Sequence, residues 1–91
     1  MTFTELADEV GHLTHHERLI LRLLFGQQPG NWWHAFDVIQ LAWDASYCNP
    51  DGRHMLRVNV HRIRRKLEGT RWQIQNRTGF YRLVMVERAA A

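Results

Sequence analysis

Residues 53–68 read RHMLRVNVHRIRRKLE, and within them Leu56, Val60, Ile63 and Leu67 recur at intervals of four, three and four. At about 100° per residue that spacing gathers all four into one narrow stripe of an α-helix. Val58, His61, Arg62 and Arg65 fall opposite the stripe, Arg57 and Arg64 flank it on one side, and Asn59 and Lys66 on the other. One face of this helix belongs in a core, and the rest of its surface is polar or cationic. Gly69 supplies the stop.

Beyond that glycine, Trp72, Ile74 and Gln75 and then Phe80 to Val86 read as two strands, separated by a turn of Asn76, Arg77, Thr78 and Gly79. Upstream, the turn-forming Asn49, Pro50, Asp51 and Gly52 close a loop over 45–52. Before the loop, Val38, Ile39, Leu41 and Ala42 run into Trp43 and predict a helix over 34–44, with Trp32 and Trp33 packing over its start as a hydrophobic staple. Gln27 to Asn31, with Pro29 and Gly30, is a loop. Thr14 and Glu17 stand three apart ahead of Leu19, Ile20, Leu23 and Leu24, the spacing of a capping box, and predict the first core helix over 14–25. Thr2 and Glu5 repeat that spacing ahead of Leu6, Ala7 and Val10, so an additional short N-terminal helix ends at Gly11. Residues 87–91 read as a frayed tail. The sum is a mainly α fold with a C-terminal β-hairpin: a winged helix-turn-helix of three core helices, preceded by one extra helix, in a single domain over 1–91.

Charge is divided along the chain. Residues 1–52 hold two arginines against seven carboxylates, a net of −5, whereas 53–82 hold nine basic residues against Glu68 alone, a net of +8. Such a segment attracts a polyanion while the remainder keeps the surface soluble. A solvated basic face can also arise merely because long side chains cover apolar surface. Here charge and amphipathicity coincide, which favours nucleic acid. Trp43, Trp72 and Tyr81 sit inside apolar segments and read as core rather than as base-stacking platforms.

Other chemistries find little support. His12, His15 and His16 are adjacent or nearly so, and neighbours on a helix point about 100° apart, so no metal site is expected. Cys48 is a lone thiol. Neither a phosphate loop nor a dinucleotide fingerprint is present, and Glu17 is committed to a cap, so no enzyme and no cofactor are expected. No apolar run reaches the roughly 18 residues of a membrane span and the start lacks a secretory pattern, so the expected location is the cytoplasm, on the nucleoid when bound.

The chain resembles the DNA-binding output domain of OmpR/PhoB-type response regulators over roughly residues 13–84. The family's Leu-Thr-x-x-Glu stands here as Leu13, Thr14 and Glu17, its helix-ending Trp as Trp43, and its Val-Asp-Val-His-Ile-x-Arg-Leu-Arg-x-Lys-Leu as residues 56–67. Its closing Gly-Tyr-Arg-Leu is matched by Phe80, Tyr81, Arg82 and Leu83. Arg57 and Asn59 stand where the family has Asp and His, Thr78 and Phe80 replace the two glycines of the wing motif, and twelve residues are too few for the family's N-terminal sheet.

The resemblance implies sequence-specific binding of double-stranded DNA in transcription regulation, the third core helix in the major groove. Arg62, Arg65, His61 and Val58 are then the base-contacting candidates. Arg53, Arg57, Arg64, Lys66 and Arg71 are the phosphate-contacting ones, with Glu68 one turn beyond Arg64 to orient it, and Arg77 is the wing residue for the adjacent minor groove. The family commonly binds direct repeats head to tail, which implies a homodimer on DNA. A different function remains open: a protein-interaction winged helix meeting RNA polymerase or another regulator through the 45–52 loop, anchored by Trp32, Trp33, Tyr47 and Pro50.

Overall fold

In a computed structural model, which describes residues 2–26, 29–43 and 51–86, the chain runs α1 (Phe3–Val10), α2 (His15–Phe25), β1 (Trp33–His34), α3 (Ala35–Trp43), α4 (Gly52–Leu67), β2 (Trp72–Arg77) and β3 (Phe80–Met85). This is the expected winged helix-turn-helix with an extra N-terminal helix. The additional element is β1, a strand of two residues that pairs antiparallel with the start of β3, Trp33 opposite Tyr81 and His34 opposite Phe80. Trp33 thus belongs to the sheet rather than stapling α3. A sheet of order β1-β3-β2 results, and a third strand gives the hairpin support that a two-stranded ribbon lacks in water.

The helix termini follow their caps. At α2 the box is reciprocal: Thr14 Oγ1 accepts from the Glu17 amide at 3.4 Å, and Glu17 Oε1 accepts from the Thr14 amide at 2.8 Å. At α1 only one half forms, with Thr2 Oγ1 accepting from the Glu5 amide at 3.2 Å. Leu56, Val60, Ile63 and Leu67 are all buried on the inner face of α4, together with Ile20, Leu21 and Leu24 from α2, Val38 and Ala42 from α3, and Trp72, Ile74 and Leu83 from the sheet. Each such aliphatic side chain contributes roughly 1.5–3 kcal/mol by leaving water. The edge of α1 is carried in by Leu6, fully buried, and by Phe3, whose ring meets Phe25 edge-on at 5.9 Å, while Phe25 lies 5.9 Å from Trp72. Trp43 and Trp72 are buried and Tyr81 is packed against the core, as their apolar surroundings imply.

The hairpin turn is shorter than expected. Asn76 and Arg77 are strand residues paired with Tyr81 and Phe80, which leaves only Thr78 and Gly79 between the strands. Both have positive φ, 25° and 82°, the pattern of a type I′ turn whose twist matches the flanking strands. Gly79 adopts that conformation freely, but for β-branched Thr78 it is strained. Thr78→Gly is therefore expected to stabilise the fold by up to about 1 kcal/mol, strain relief exceeding the entropy cost of glycine. A higher midpoint in urea unfolding with unchanged slope checks this.

Candidate nucleic-acid interface

α4 presents its cationic residues in three directions, set by the helical rotation about its buried stripe. Outward stand His61, Arg62 and Arg65, all exposed, with Val58 half-buried among them, and Arg57, also exposed, lies on the shoulder that it shares with Arg64. The guanidiniums of Arg57, Arg62 and Arg65 make no hydrogen bond or ion pair with any described residue. Arg53, on the first turn of α4, and Arg71, beyond its end, are likewise exposed. Asn59 turns back on its own helix, its Nδ2 donating to the Met55 carbonyl at 2.8 Å.

Toward the wing, Arg64 is half-buried, and its Nε donates to the Ile74 carbonyl at 3.3 Å while Nη2 donates to Asn76 Oδ1 at 3.0 Å. Those β2 groups orient it, not Glu68. The guanidinium keeps donors free beyond these two. On the other shoulder, Lys66 points to α2, where its ammonium is paired with the carboxylate of Glu17. Glu17 is wholly buried. Burial by itself would push its carboxyl up, but the hydrogen bond from Lys66, the Thr14 amide and the charge of Lys66 outweigh it and hold the group below its ordinary value. Lys66 thus already has an anionic partner inside the protein.

The wing carries a second basic cluster. Arg77 is the last residue of β2, one step before the turn rather than at its tip. Its guanidinium carbon lies 5.0 Å from the ring centroid of Trp32, and that of Arg82 lies 4.3 Å from the same ring. Arg82 Nε also donates to Gln75 Oε1 at 2.8 Å. Together with Arg64 and Arg71 these groups line an open groove between the end of α4 and the sheet. Sequence reasoning had no place for Arg82, although strand alternation puts it opposite the buried Leu83 face and so outward. Trp32 and Trp33, two of the anchors expected for a protein partner, are half-buried in these contacts and in β1 pairing. Tyr47 and Pro50, and most of the 45–52 loop, lie outside the described residues.

Among the described residues no group of three or more His, Cys, Asp or Glu could hold a metal ion, and no helix is long and apolar enough to cross a membrane. A family model described as "Transcriptional regulatory protein, C terminal" matches residues 8–82, which takes in α2 to β2 and the wing turn. Neither the curated proteins nor the solved structures give a match.

The ion pair sets two expectations. Lys66→Met leaves a buried carboxylate without its cation and is expected to destabilise the fold by about 3 kcal/mol at neutral pH, whereas Glu17→Gln together with Lys66→Met recovers part of that loss. The folded-state pKa of Glu17 is depressed, so its contribution is complete above the unfolded pKa of about 4.3 and is lost as pH falls through the folded value. In urea titrations across the acid range, the stability difference between the wild type and Glu17→Gln should shrink as pH falls.

Proposed function

Because the chain belongs to the OmpR/PhoB-type family of transcriptional regulator output domains, non-catalytic winged-helix modules that bind DNA, we propose that it reads specific duplex sites by laying α4 in the major groove. The observation that carries this reading is the outward face of α4. Arg62 and Arg65 are exposed there, their guanidiniums without a partner among the described residues, while the opposite face is buried. The major groove admits a helix and displays a distinct donor and acceptor pattern for each base pair. Arg62 and Arg65 serve the bases, each able to donate twice to guanine O6 and N7, with His61 and Val58 beside them.

Arg53, Arg57 and Arg71 meet phosphates and fix the register without reading sequence. Arg64 joins them from the groove between α4 and the wing, held there by β2. Lys66 is assigned to the fold rather than to the phosphates, since its charge is spent on Glu17. Arg77 reaches the adjacent minor groove, where a narrow A·T stretch strengthens the attraction. Two copies pair head to tail on direct repeats.

Selection of bound duplexes from a random pool, followed by titration at several salt concentrations, tests this. Arg65→Ala or Arg62→Ala should cost about 1–3 kcal/mol and relax preference at one base position. Arg57→Ala should weaken all sequences alike and lower the salt slope by about one. Equal affinity for random and selected duplexes overturns specific reading. A single occupancy on every selected site, seen by gel shift, overturns pairing.

A further inference from the structure

Two guanidiniums converge on one indole at the outer surface of the wing, and no carboxylate of a described residue bonds to either. Cross-strand pairing sets Gln75 opposite Arg82 and Arg77 opposite Phe80, so Arg77 and Arg82 are diagonal neighbours on the face of the sheet away from the core, within reach of one shared group. Like charges so placed repel each other unless something offsets them. What offsets them here is the π face of Trp32, 5.0 Å from Arg77 and 4.3 Å from Arg82, and the amide oxygen of Gln75 on Arg82.

The indole is in turn fixed by the backbone. Trp32 directly precedes β1, and the pairing of Trp33 with Tyr81 sets it alongside Arg82, the next residue of β3. The Ala35 amide donates to the Gly79 carbonyl at 2.8 Å, which ties the other end of β1 to the turn. The pairing of its neighbour Trp33 thus holds Trp32 close to the wing.

We propose that Trp32 is a positioning residue of the wing, holding Arg77 beside Arg82 so that Arg77 is aimed at the minor groove of duplex DNA while Arg82 meets the phosphodiester backbone at that groove's edge as a contact in its own right. The proposal rests on the winged-helix reading above and extends it to two residues outside α4. An indole preorganises its cations, so fewer side-chain rotamers are lost when the phosphate arrives. A phosphodiester supplies the anion that the pair lacks.

The test couples free-protein spectroscopy with a mutant cycle. In NMR spectra of the free protein, the side-chain resonances of Arg77 and Arg82 should show ring-current shifts that Trp32→Leu abolishes and Trp32→Phe partly retains. On a selected duplex, Trp32→Leu should weaken binding by about two- to five-fold, the size of an exposed cation–π contact, and Trp32→Phe should restore most of it. Arg82→Gln should weaken binding and lower the salt slope by about one. In an Arg77→Ala, Arg82→Gln background, Trp32→Leu should have no further effect. The same loss in that background, unshifted arginine resonances in the wild type, or an unchanged salt slope in Arg82→Gln overturns the proposal. Should Trp32→Leu lower the thermal midpoint enough to confuse binding, the Trp32→Phe and Arg82→Gln arms decide it alone. If Arg62→Ala and Arg65→Ala lose specific binding while the wing cycle is additive, the proposal falls and the α4 reading stands. Coupling in the wing with indifferent α4 variants gives the reverse.

Discussion

A carboxylate taken wholly out of water calls for donors, and Glu17 finds two for its Oε1, from two different helices. The Thr14 amide donates from the start of α2, and the Lys66 ammonium donates from the end of α4. Desolvation opposes the charge and the donors outweigh it, aided by the positive end of the α2 dipole. The consequence reaches past the pair itself. An apolar stripe such as Leu56, Val60, Ile63 and Leu67 fixes which side of a helix faces inward, but aliphatic contacts tolerate small slides and rotations. A charged pair does not, because a displaced partner leaves a buried charge exposed to its full desolvation cost. Arg64 performs a weaker version of the same task on the opposite shoulder, where it holds the Ile74 carbonyl and Asn76. Pinned to α2 on one side and to β2 on the other, α4 presents its remaining arginines along one defined line.

This division explains how far the sequence could be read. The inward stripe of α4, both capping pairs and the two long strands carry local signals, in spacing or in residue chemistry, and the structure has them within a residue or two. Lys66 shows the limit. A helical wheel places it on the shoulder, but which neighbour stands there depends on how α2 crosses α4, and no local pattern encodes that. Arg64 is the same case, since its partners are ten and twelve residues away on a different element. β1 was invisible for another reason: two residues are too few for alternation to appear, and its existence follows from β3 offering an open edge. The turn was read too wide because Asn76 is a turn-former by propensity. Pairing with Tyr81 overrides that preference.

The wing shows a similar dependence of side chains on a distant backbone. Trp32 looks like loop or staple until β1 pairs with β3, and only then does it stand beside Arg82. A sheet built from the two hairpin strands alone would leave Arg77 in solvent and Arg82 with Gln75 only, and long side chains so placed sample many rotamers. With β1 in place, the aromatic face and Gln75 restrict them.

The short turn completes the same logic. The Gly79 carbonyl accepts from the Ala35 amide, the first residue of α3, and His34 meets the Phe80 ring edge-on at 5.1 Å while its Nδ1 accepts from the Phe36 amide. The hairpin end is thereby tied to the start of α3 rather than left to swing. Thr78 keeps a strained backbone at that point because paired strands on both sides over-determine it. These contacts fix where the wing's backbone stands relative to α3. On the proposed reading, adjustment to DNA then falls to side chains at its surface, and the placement of Arg77 and Arg82 matters more than the reach of the turn.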